Sequence, residues 1–176
     1  DVNGNPATPV TSASFLVDTT APSISAIGTS AFSWGAVLNS IEDDADGTVT
    51  VNTVGVENGQ VVTITLNGAS YSGSVNNNVT TVTITAAGLQ GLTNGQSYTM
   101  VANVQDAAGN PATQVTSSPF TVNYTLPSIS AIGTSAFSWG DILNSVEDNG
   151  QGVVTVNTLG VENGQVVTIT LNGASY

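Results

Sequence analysis

From Gly47 onward, apolar and polar positions alternate in short runs, and this alternation predicts β-strands. Thr48–Val54 interleaves Thr and Val, while Val62, Ile64 and Leu66 share one face and Val61, Thr63 and Thr65 the other. Ser70–Val75 predicts a short strand, Val82, Ile84 and Ala86 line the next, and Tyr98, Met100, Ala102 and Val104 form the clearest inward face. A first strand is expected at Ser23–Ile27 and a last one around Phe120 and Val122. Between them lie Asn58-Gly59, Asn67-Gly68, Asn76–Asn78, a Gly-rich loop from Gly88 to Gly95, and Asp106–Asn110. Asn67-Gly68 sits between two strand-like runs, as a hairpin requires. No helical period is visible. Burial is expected for Val62, Ile64, Leu66, Tyr98, Met100, Val104 and Phe120.

Seven short strands with turns at this spacing fit an all-β chain, with immunoglobulin-like Greek-key β-sandwich repeats in tandem. The Cys pair and Trp of antibody domains are missing. The tandem arrangement is visible directly. Residues 1–71 and 106–176 are identical at 54 of 71 positions. A solenoid would repeat every ~20–30 residues or fewer; a unit of this length can bury its own core. The expected organisation is the C-terminal part of one repeat over 1–19, a complete repeat over 20–124, and the N-terminal part of a third over 125–176. Asp1 corresponds to Asp106 and Tyr176 to Tyr71, so the chain reads as a window on a longer array.

Composition narrows the function. The chain has no Lys, Arg, His or Cys, and its 12 acidic residues give a formal charge of −12. Without cations it cannot neutralise phosphates, which argues against nucleic acid, and it lacks the polybasic attraction of anionic membranes. No apolar run approaches the ~18 residues of a spanning helix, so direct membrane insertion is not expected. An enzyme is not expected either. Neutral-pH acid–base chemistry most often uses His, and any Ser or Thr nucleophile would lack an activating base.

Several motifs resemble the bacterial immunoglobulin-like repeats of giant surface and biofilm adhesins. They are Gly59-Gln-Val-Val-Thr-Ile-Thr-Leu-Asn-Gly68, Leu92-Thr-Asn-Gly95 leading to Tyr98-Thr-Met-Val101, Asp106-Ala-Ala-Gly-Asn110, and Asp18-Thr-Thr-Ala-Pro22. The resemblance covers the whole chain. It implies an extracellular location on a bacterial cell surface, a spacer role in cell adhesion, and calcium at the junctions between repeats.

Strand parity gives calcium a physical rationale. In a seven-stranded sandwich the chain changes end with each strand. The linker residue Asp18, the turn carrying Glu57 and the Asp106–Asn110 loop are then expected at one end. Glu42, Asp43, Asp44 and Asp46 are expected at the other. Calcium takes six to eight oxygen ligands, and carbonyls and Asn side chains can complete a carboxylate set. The candidate ligands are Asp18, Asp106, Glu42, Asp43 and Asp46. Each also has a plainer reading. Asp106 can close a tight turn through backbone N–H groups, with Gly109 supplying positive φ; Asp18 can start a solvated linker; Glu42–Asp46 can be a solvated acidic loop. Phe32 and Trp34 are expected to cover a sandwich edge rather than stack on sugar.

The second junction departs from the first. Asp18-Thr-Thr-Ala-Pro22 becomes Asn123-Tyr-Thr-Leu-Pro127, and Glu42-Asp-Asp-Ala-Asp46 becomes Glu147-Asp-Asn-Gly-Gln151. Site charge falls, and calcium affinity depends partly on charge. Tyr124 and Leu126 are expected to compensate by packing across the joint. The expected function is a structural extender of a surface adhesin, stiffened by calcium and partnered by neighbouring repeats. The alternatives are a carbohydrate- or protein-binding module and a laterally packed filament.

Overall fold

The computed structural model describes residues 1–176. Its strands follow the Val/Thr alternation. β1 (Ser23–Ile24) pairs antiparallel with β3 (Gly47–Val54), and β3 pairs with β6 (Val79–Ile84) in the register Val49↔Val82 and Val51↔Thr80. The second layer contains β4 (Val61–Leu66), β5 (Ala69–Ser74), β8 (Met100–Asn103) and β9 (Val115–Thr116), in the order β5-β4-β8-β9. Two further runs extend it. β7 (Ser97–Tyr98) precedes β8, and β10 (Phe120–Asn123) follows β9. β10 pairs antiparallel with β7 and parallel with β2 (Val37–Asn39).

Counting β1 with β2, β7 with β8, and β9 with β10 as single runs leaves seven strands in two layers. The β9–β10 break falls at Ser117-Ser-Pro119, where Pro119 offers no ladder donor. There Ser117 Oγ accepts a bond from the Met100 N–H at 2.9 Å, replacing the regular ladder. This is an immunoglobulin-like sandwich.

Val49, Val51, Val62, Ile64, Leu66, Val82, Ile84, Met100, Phe120 and Val122 meet between the layers as one core that reaches from Ile24 to Val122. Six of the seven residues expected inside are buried; Tyr98 is half-buried. Its hydroxyl lies toward the Gly-rich loop and accepts a bond from the Thr93 N–H at 2.9 Å, which keeps that end of the ring near solvent.

Two local features differ from the sequence reading. Ala86 opens a one-turn helix, α1 (Ala86–Gln90), instead of extending a strand. Thr85 caps it by accepting from the Gly88 N–H, and Asp46 accepts from the Ala86 N–H at 2.9 Å. Five residues are too few to show a helical period. Phe32 and Trp34 belong to the core itself rather than its edge. Their rings stack at 5.4 Å, and Phe120 meets Trp34 edge-on at 5.3 Å. The indole N–H is buried without a partner.

Residues 1–17 form no strand and are exposed. Beyond β10, the structure has β11 (Ser128–Ile129), β12 (Thr158–Leu159), β13 (Thr170–Leu171) and β14 (Ala174–Ser175). The pair β11–β12 repeats the β1–β3 pairing in miniature, and Phe137 stacks on Trp139 as Phe32 does on Trp34.

Candidate functional site

None of the twelve acidic residues lies in a strand. In the complete sandwich they gather at its two ends, where loops and linkers meet.

At the end where the chain enters, Asp106 is only 2% exposed. Its carboxylate accepts from the Asn110 backbone N–H at 2.7 Å and from the Asn110 side-chain amide at 2.9 Å. The side-chain amide contributes most to holding the Asp106 pKa below the ordinary carboxylate value, and the loop's backbone N–H groups add to it. Together they outweigh the upward push of burial. Gly109 sits at φ +92°, which a side chain would strain. The Asn110 amide also donates to the Asp18 carbonyl at 3.2 Å, and the Ala107 N–H donates to Glu57 Oε2 at 2.9 Å. Asp106, Asn110 and Asp18 therefore form one hydrogen-bonded chain, and Glu57 holds the same loop through the Ala107 N–H.

Asp18 joins this group through its backbone, not its side chain. Its carboxylate accepts from the Thr20 N–H at 3.0 Å, closing a local turn. The Asp-x-x-Gly-Asn loop also holds itself. Asp1 and Asn5 make the same bonds, at 3.0 Å, in a segment that is fully exposed.

At the exit end the four acids have four different partners, two of them backbone and two of them side chains. Asn39 and Glu42 cap each other: the Asn39 N–H donates to Glu42 Oε2, and the Ile41 and Glu42 N–H groups donate to Asn39 Oδ1. Asp46 holds the start of α1, and Asp44 accepts from the Gln90 amide at 3.4 Å. Asp43 is buried beside Tyr124. Burial, and then the Asp43 charge, push the Tyr124 phenol up to about 12.

Nowhere do three acidic side chains converge closely enough to hold a metal ion. Every donor at either end is nevertheless a hard oxygen with no basic side chain to pair with, which is the ligand chemistry calcium takes. The sequence reading missed Asn110 as the hub of the entry end and Asn39 as a cap. Asn39-x-x-Glu42 has capping-box spacing, a signal that was there to be found.

No protein-family model and no curated protein matches this chain. Solved structures do match. One is a Ca2+-stabilized adhesin that helps an Antarctic bacterium reach out and bind ice. It is 25% identical, with 88% of this chain and 36% of that one covered, at a TM-score of 0.50. A bacterial immunoglobulin-like domain from the M. primoryensis ice-binding adhesin is 26% identical over 58% of this chain and 95% of its own, at a TM-score of 0.40. A structure describing host cell surface retention of a 1.5-MDa bacterial ice-binding adhesin is 27% identical, covering 61% of this chain and 34% of that one, at a TM-score of 0.45. The chain is similar to bacterial immunoglobulin-like adhesin domains. It spans about a third of the length of the two larger structures. No helix in this adhesin-like chain is long and apolar enough to cross a membrane.

Proposed function

We propose that this chain is a run of extender repeats in a bacterial surface adhesin. Each sandwich adds length, and calcium at the junctions limits their bending. One observation carries the reading: the acidic side chains all lie outside the strands, in loops and linkers, and Asn110 ties the incoming Asp18 backbone to the Asp106 loop. The near-identity of the two copies supports it, since repetition multiplies length. The described calcium stabilisation of a similar adhesin points the same way.

Asp106, Glu57, the Asn110 side-chain carbonyl and the Asp18 residue would offer oxygens at the entry end. Glu42, Asp43 and Asp46 would offer them at the exit end. The proposal includes no catalytic role and places the chain outside the cell. Isothermal titration of calcium into the chain tests it. Binding in the ~10⁻⁴–10⁻³ M range, weakened by Asp106→Ala, is expected. No binding at millimolar calcium would remove the cation from the account.

A second reading, lateral packing of copies into a filament, draws on the uncharged flanks. The outward positions of β3 and β6, such as Thr48, Thr50, Thr81 and Thr83, carry no charge that would hold copies apart. Sedimentation at increasing concentration separates the two readings. Association beyond the monomer favours packing, and a constant monomer favours the extender. The sugar-stacking alternative loses its aromatic platform, because Phe32 and Trp34 are inside.

A further inference from the structure

The two linkers differ in how they meet the sandwich. Where the first has Thr19, the second has Tyr124. The Tyr124 ring packs against the core, and its hydroxyl donates to the Leu89 carbonyl at 2.9 Å. Its backbone N–H donates to Asn94 Oδ1 at 2.8 Å, while the Asn94 amide reaches Thr125 Oγ1 at 3.4 Å. Asn94 is itself fixed, because the next residue, Gly95, donates its N–H to the Val122 carbonyl at 2.8 Å. Asn123 keeps the local turn that Asp18 makes, accepting from the Thr125 N–H at 3.1 Å, but without the charge.

We infer that Tyr124 latches the outgoing linker to the sandwich it leaves, so that the path of this linker is set without a cation. The structure does not form the packing across the joint expected of Tyr124 and Leu126: Tyr124 turns back onto the sandwich it leaves, and Leu126 is exposed. The phenol is a donor at neutral pH, as any tyrosine hydroxyl is, and burial, then Asp43, push its pKa higher still. The array then contains two kinds of junction. One presents a linker carboxylate at Asp18, and the other replaces that charge by a ring and three side-chain bonds. The inference rests on reading residues 123–127 as a linker between repeats.

Hydrogen exchange on the 176-residue chain, in calcium and in chelator, tests it. The Tyr124 and Thr125 amides should be equally protected in both conditions. Tyr124→Thr should lower that protection about fivefold or more, because one lost hydrogen bond is worth roughly 1 kcal/mol and the ring packing goes with it. Tyr124→Phe, which keeps the ring, should give a smaller loss. Asn94→Ala gives an independent route to the same loss. The Val62 and Ile64 amides report whether the core stays folded. Unchanged protection in both Tyr124→Thr and Asn94→Ala, or wild-type protection that appears only with calcium, overturns the latch. The Asp18 and Thr20 amides, read in the same samples, test the calcium proposal separately. Their indifference to calcium would count against that proposal and leave the latch standing.

Discussion

Asp106 holds the entry end together through hydrogen bonds. Its oxygens hold Asn110, and Asn110 holds Asp18. Because the folded pKa lies below the unfolded one, the stabilisation is fully present above the ordinary carboxylate value of about 3.9 and is lost as pH falls through the depressed folded value. Melting temperature followed from pH 6 down to pH 2 should therefore fall more steeply for the wild type than for Asp106→Asn. Parallel curves would show that Asp106 bonds equally well in either protonation state. The loop was legible as a tight turn because Asp, Gly and Asn each have one job there. That Asp18 meets it through a carbonyl was not legible, since a sequence does not say which oxygen faces a neighbour.

Among the elements, strand faces were readable wherever period two is strict, as in β3, β4 and β8. The long stretch from Gly28 to Asp46 has no such period, so Phe32 and Trp34 could not be assigned to the core from pattern alone. Close approach was equally hidden. A Cβ on Gly73 would lie 2.5 Å from the Thr81 carbonyl, where β5 runs beside β6. Gly73→Ala should cost about 1–3 kcal/mol, as overpacking does. Phe120→Ala, which removes the ring shared by the Phe32–Trp34 stack, should cost about 3–5 kcal/mol. Denaturant titration measures both. A neutral Gly73→Ala would mean that β5 can move away from β6 freely.

For the whole molecule, charge is segregated by position. Residues 20–124 contain Glu42, Asp43, Asp44, Asp46, Glu57 and Asp106, a formal charge of −6, all outside the strands. Parity placed these groups at the correct ends because each strand reverses the chain. It could not show that the exit-end acids each serve a different partner. Self-repulsion at the ends should lower the melting temperature at low ionic strength, and monovalent salt should raise it by screening. A melting temperature indifferent to both salt and calcium would show that these carboxylates are simply hydrated.

The central claim is that calcium stiffens an extended array. It is tested most directly by small-angle scattering from three linked copies of Asp18–Val122, so that each internal junction has the Asp18 linker. A strand of ~8 residues spans roughly 26 Å, so each copy with its loops and linker should add about 35–45 Å. In millimolar calcium the array should scatter as a rod approaching that summed length. In chelator the maximum dimension should shorten and the profile broaden, and Asp106→Ala should behave with calcium as the wild type does without it. Identical profiles in calcium, in chelator and in the variant would contradict the account.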